Sequence, residues 1–187
     1  ASDVYKRQPY ARRGEVTEEF LRALRSPPEG YSVVSSLTPV PVWVGGNAAR
    51  AQRRAALLGD GWHPLWMPDD AYAEARRKIL EARASANLVG PFTFSYSCPA
   101  TRLVARPPAS WERRPPRAPS GSEFRYAPEA WVDEDNRPRF TGTADQLIAD
   151  LRLLEAAGVD SVTLRFGTND VADLERFARE VRPAFDP

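Results

Sequence analysis

The residues of this 187-residue chain best suited to chemistry are Gly45, Gly46 and Asn47, with Arg50 close behind. They follow a short apolar run, Val40 to Val44, and precede an alanine-rich stretch of helical spacing. Two adjacent glycines let backbone N–H groups converge and let a ligand approach with no Cβ in the way. A helix beginning just beyond them offers unpaired N–H groups and the positive end of its dipole, which suits a phosphate. Arg50, in the first turn, could add a charge-assisted contact. The same residues could also form a plain strand-to-helix turn with Asn47 as the helix cap.

Other candidates stand alone. His63 is the only histidine. It could exchange a proton near pH 7, or it could be a packed, hydrogen-bonded residue after a short strand. Trp62 and Trp66 could wall a pocket or belong to the core. Arg165 alternates with Val162, Leu164 and Phe166, so a strand would turn it to the opposite face. Buried there, it would need a carboxylate or an anionic ligand. Cys98 has no neighbouring base or second cysteine, which argues against a nucleophile. One cysteine and one histidine leave no transition-metal site. Arg113, Arg114 and Arg117, near Trp111, form a basic cluster that reads as a solvated loop rather than a nucleic-acid surface.

The elements that must position these residues follow from periodicity and punctuation. A helix is expected from Thr17, as cap, to Arg25, with Phe20, Leu21 and Leu24 inward and Pro27-Pro28 as stop. Val42 to Val44 reads as a buried strand. Asn47 is expected to cap a helix reaching Leu58, with Ala48, Ala51, Ala55 and Leu58 on its face and Gly59 closing it. Asp60 to Leu65 is a second strand. A helix from Asp69 or Asp70 presents Tyr72, Ala75, Ile79 and Ala82. Phe92 to Ser97 is a third strand. Residues 105–138 are rich in proline and arginine and read as a long insertion loop, with a short element near Glu129 to Val132. Thr143 and Gln146 form a capping box for a helix that buries Leu147, Ile148, Leu151 and Leu154 and ends at Gly158. Ser161 to Phe166 is a fourth strand. Asp170 can cap a last helix with Val171, Leu174, Phe177, Ala178 and Val181 on one face. Strands alternating with helices imply an α/β fold with parallel strands and right-handed crossovers.

Composition sets outer limits. Twenty-six Lys and Arg against 25 Asp and Glu give a net charge of +1, so a basic domain surface for nucleic acid is not indicated. A single cysteine excludes a disulfide framework and fits a reducing, cytoplasmic setting. No apolar run approaches the roughly 18 residues that a membrane helix needs. Ala1 to Gln8 carries no pattern and reads as a non-native tail ahead of one domain from residue 9 to 187.

Two blocks together resemble the luciferase-like monooxygenase family of flavin- or F420-dependent oxidoreductases. The first is Pro41-Val42-Trp43-Val44-Gly45-Gly46-Asn47, Arg53-Arg54-Ala55-Ala56 and Leu58-Gly59-Asp60-Gly61-Trp62-His63-Pro64. The second is Phe140-Thr141-Gly142-Thr143-Ala144-Asp145-Gln146, Ala156-Ala157-Gly158-Val159-Asp160 and Leu164-Arg165-Phe166. The resemblance implies a (β/α)8 TIM-barrel fold, of which the four expected strands match strands five to eight, the C-terminal half. It implies FMN or coenzyme F420 as cofactor, with Gly45, Gly46, Asn47 and Arg50 around its phosphate. Trp62 and Arg165 are the candidates for a substrate-pocket wall, and the resemblance implies an organic small molecule as substrate. A half barrel would leave open sheet edges and favour a homodimer. Two rival readings accompany this one. One is a non-catalytic half barrel acting only through dimerisation or partner binding. The other is an unrelated phosphate-binding βα protein.

Overall fold

The computed structural model describes residues 12–26, 29–30, 40–106, 133, 137–166 and 171–186, the side chains of residues 99 and 100 excepted. The Ala1–Gln8 tail, the Arg113, Arg114 and Arg117 cluster, the element near Glu129 to Val132 and the Asp170 cap lie outside these residues. The helices are α1 (Arg13–Arg25), α2 (Ala49–Leu58), α3 (Asp69–Ser85), α4 (Ala144–Ala156) and α5 (Val171–Glu180). The strands are β1 (Trp43–Gly45), β2 (Gly61–His63), β3 (Thr93–Leu103), β4 (Thr141–Gly142) and β5 (Ser161–Phe166). β3 runs parallel to both β4 and β5. The fold is α/β with parallel strands, as the alternating pattern predicts. No helix among the described residues is long and apolar enough to cross a membrane. Two compact units divide the chain, Ala1–Trp62 with Lys78–Thr93 and His63–Arg77 with Phe94–Pro187.

In the first unit, Leu21, Val44, Ala55, Ala56, Trp62 and Ile79 form the core. α1 starts at Arg13, not at Thr17. The Thr17 hydroxyl donates to the Arg13 carbonyl at 2.7 Å, so this residue sits inside the helix and does not cap it. Phe20 is 62% exposed, which leaves Leu21 as the one buried residue of that helix. Gly59 does not close α2 through a left-handed turn, since its φ is −105°. Its missing Cβ matters for another reason: it would stand 3.0 Å from the Ala55 carbonyl and from Val44 Cγ2. Asp60 then clamps β2 to the residue before β1. Its N–H donates to the Val42 carbonyl at 2.8 Å, and its Oδ2 accepts from the Val42 N–H at 2.7 Å.

The second unit repeats that clamp. The Asp160 N–H donates to the Phe94 carbonyl at 2.7 Å, and its Oδ2 accepts from the Phe94 N–H at 2.8 Å. The register of β3 with β5 follows directly, with Ser95 opposite Ser161 and Tyr96 opposite Val162. Tyr72, Phe94, Tyr96, Phe140, Leu147, Leu154 and Val181 fill the core, with Tyr72 and Tyr96 rings 5.6 Å apart. The Thr143–Gln146 capping box starts α4 as expected. Gly158 ends it at φ +86°, a left-handed position that favours glycine. β4, only two residues long, is a fifth strand that periodicity alone does not reveal. The expected apolar face of α5 is packed only at its end. Val171 and Leu174 are 63% and 53% exposed, while Phe177 meets Phe166 edge-on at 5.6 Å and Val181 is fully buried.

A buried ion pair fixes the approach to β4. Arg137 donates both Nη1 and Nη2 to Asp150, at 2.8 and 2.9 Å, and Nε to Asp133 at 2.6 Å. Asp150 also accepts from the Phe140 N–H at 2.7 Å, which holds Phe140 at φ +60°. Replacing Asp150 by alanine strands a guanidinium and an N–H in the interior. The expected loss is about 3 kcal/mol in urea unfolding, whereas Thr143→Ala, which removes only a cap, costs about 1 kcal/mol. A loss below that of the cap variant would show that the pair holds nothing in place.

Candidate functional site

The diglycine corner lies wholly in the first unit. β1 ends at Gly45, and Gly46 takes φ +112°. A Cβ on Gly46 would stand 2.9 Å from the Ala51 Cβ, so both space and backbone require glycine there. The corner is fastened from inside. Trp62 is fully buried, and its indole Nε1 donates to the Gly46 carbonyl at 2.9 Å. Trp62 therefore offers no surface to a ligand; the pocket-wall expectation is corrected to a core residue that holds the turn.

Asn47 does not cap α2. The cap position belongs to Ala48, which supplies no side-chain hydrogen bond, and the Asn47 carbonyl instead accepts from Gln52 Nε2 at 2.8 Å. The chain simply turns into helix one residue later than the asparagine suggests. This difference has an electrostatic consequence. The first N–H groups of a helix have no intrahelical acceptor, and here the cap residue supplies none from its side chain. No acidic residue occupies the first turn of α2, and Arg50 does. Ala48, Ala49 and Arg50 are exposed. The corner is therefore open, with N–H groups and a guanidinium facing outward, an arrangement that attracts an anion.

The remaining candidates belong to the second unit. His63, half-buried, has Nδ1 2.8 Å from the Oγ of fully buried Ser95. The Ser95 carbonyl accepts from the Tyr72 hydroxyl at 3.1 Å. Nδ1 and Oγ thus share one hydrogen bond, whose direction is set by the imidazole tautomer. Burial lowers the His63 pKa below its ordinary 6.5. Ser95 escapes a search for catalytic residue types, although the aromatic–serine alternation of Phe94 to Ser97 marks it as the small polar face of a strand. Trp66 is half-buried. Arg165 and Thr163 are exposed while Val162, Leu164 and Phe166 are half-buried, so the alternation holds. The expected burial of Arg165 does not, and solvent removes its need for an anionic partner. Cys98 is buried, and burial raises its thiol pKa, which keeps it protonated. Among the described residues, no group of three or more His, Cys, Asp or Glu could hold a metal ion.

No protein-family model and no curated protein matches the chain. Solved structures do. An F420-dependent secondary alcohol dehydrogenase in complex with an F420-acetone adduct superposes with a TM-score of 0.67 at 16% identity, covering 99% of this chain and 66% of that one. A coenzyme F420-dependent tetrahydromethanopterin reductase from Methanopyrus kandleri gives 0.56 at 16% identity, over 92% and 62%. The EDTA monooxygenase of Chelativorans sp. BNC1 gives 0.56 at 17% identity, over 94% and 60%. The chain shares the α/β, (β/α)-barrel-type fold of these structures. The chain spans just under two thirds of the length of these neighbours.

The lone histidine makes its own titration readable. Below 6.5 the unfolded chain takes up the His63 proton before the folded chain does. Stability should therefore fall as pH drops from 7 through 6.5 toward the lowered folded value, and His63→Gln should flatten that slope. The imidazole C–H resonances should titrate below 6.5 in the folded protein; a midpoint at or above 6.5 refutes the buried, neutral assignment.

Proposed function

We propose that this chain carries the cofactor-phosphate portion of a luciferase-like oxidoreductase that uses F420 or FMN on an organic small molecule. The observation that carries this reading is the open start of α2. Its cap is an alanine, its first turn lacks acid, and it follows a glycine that no side chain could replace. The fold neighbours that use F420 agree with this class of chemistry. The bound cofactor would supply the redox step, exchanging a hydride or activating oxygen. The residues of this chain bind and orient. Gly45 and Gly46 keep side chains out of the phosphate's path, and the N–H groups of Ala49 and Arg50 donate to it. The Arg50 guanidinium adds a charged contact, and Trp62 keeps the turn in shape from behind. We assign no proton transfer to His63.

A second reading rests on Val171 and Leu174, which lie exposed on α5. A homodimer would cover them, and light scattering would give twice the mass of the 20.8 kDa chain. A monomeric mass at high concentration removes that reading.

Titration with F420 and with FMN, followed by fluorescence, tests the main one. Saturable binding in the micromolar range is expected for at least one of them. Arg50→Gln should weaken it about fivefold, as loss of a charge-assisted contact does. Gly46→Asp should abolish it, with circular dichroism checking that the fold persists. Cofactor binding that Arg50→Gln and a folded Gly46→Asp both leave intact would sink the proposal.

A further inference from the structure

A second concentration of positive charge lies in the same unit, along the groove between α1 and α2. This groove encloses about 910 Å³ and is lined by five arginines and two glutamates. The charges are only partly matched. Glu18 serves both Arg22, at 3.4 Å, and Arg54, at 3.5 Å, and each distance is long for an ion pair. Glu15 pairs with Arg12, which is not among the groove residues, at 3.1 Å. Arg50 and Arg53 make no ion pair with a described residue. They stand three residues apart on α2, so both point to one side of the helix, with Arg54 beside them.

Arg54 is the unusual member. Its side chain is only 12% exposed, and its Nε is buried with no acceptor. Its Nη2 rests over Gly14, where a Cβ would approach to 2.8 Å, so the glycine makes room for the guanidinium. A buried guanidinium N–H without an acceptor costs free energy, so Arg54 stands beside the groove short of a full set of partners. Two unpaired arginines and one under-satisfied arginine on a single groove exceed what a solvated helix pair needs.

We infer that this groove is a binding site for a multivalent anion of the oligophosphate or oligocarboxylate class, with Arg53 and Arg54 as its principal contacts and Glu18 as the internal competitor that the ligand displaces. The groove shares Arg50 with the diglycine corner, but its principal contacts, Arg53 and Arg54, lie outside that corner, so tests at these two residues are separate from the cofactor reading.

Calorimetric titration with tripolyphosphate and, separately, with citrate tests it, and the two arms distinguish phosphate from carboxylate as the preferred group. Saturable binding is expected, weakening as salt rises. Arg53→Gln should weaken it about tenfold, in keeping with the loss of one charged contact. Glu18→Gln should tighten it severalfold, since it frees Arg22 and Arg54, an effect that a merely structural role for Glu18 would not produce. Arg179→Gln, which removes the same charge from α5, should change nothing. Failure of both anions to saturate overturns the inference. An equal loss with Arg179→Gln does so as well, because binding would then follow net charge and not the groove. F420 and FMN titrations of Arg53→Gln, expected to match the parent protein, keep this outcome separate from that at the corner.

Discussion

Two aspartates set the register on which the rest of the structure depends. Parallel strands pair less stably per residue than antiparallel ones, and a slip of one residue turns every side chain to the opposite face. Asp60 and Asp160 each prevent that slip by binding both the N–H and the carbonyl of a single residue, Val42 and Phe94 respectively. A slipped strand would lose both bonds together. From Asp60 the chain has two residues to reach Trp62, and from Val42 it has four to reach Gly46. The clamp thus determines which carbonyl the Trp62 indole meets. The shape of the diglycine corner is decided at the other end of its strand.

The glycines around that corner do different work, and only some of it concerns dihedral angles. Gly46 needs a positive φ, whereas Gly59 and Gly61 serve close approach. A Cβ on Gly61 would lie 2.6 Å from Trp43 Cδ1 and 2.7 Å from the Thr93 carbonyl. Backbone therefore packs where side chains ordinarily would. An acidic or hydroxylated cap would have satisfied the first turn of α2 and weakened its pull on an anion. Alanine at the cap costs helix stability and leaves the donors available, a trade that makes sense where a ligand completes the turn.

Much of this was legible in the residues. The strand, double glycine and helix order, the capping box at Thr143 and Gln146, and the left-handed Gly158 follow from local chemistry and appear as expected. The failures are also local in origin. Thr17 and Asn47 are good caps by type, but α1 begins four residues before the threonine and α2 is capped by Ala48, one residue after the asparagine. β4 is too short to show a period. Arg165 lies on the side that alternation requires, but alternation says which face a residue takes and nothing about what covers that face. The Arg137–Asp150 pair joins residues 13 apart through a three-dimensional turn, and no spacing rule anticipates it.

The histidine shows why residue type is a weak guide to role. Protonating His63 would place a hydrogen on Nδ1, facing Ser95 Oγ at 2.8 Å. The serine oxygen would then accept from that N–H. Desolvation of the ring opposes the cation. Burial thus acts against the charged form, while the Ser95 hydrogen bond holds the ring in place. Such a ring holds position and can donate a hydrogen bond. The imidazole is thereby a fixed part of the scaffold, placed by Ser95 and by its own burial.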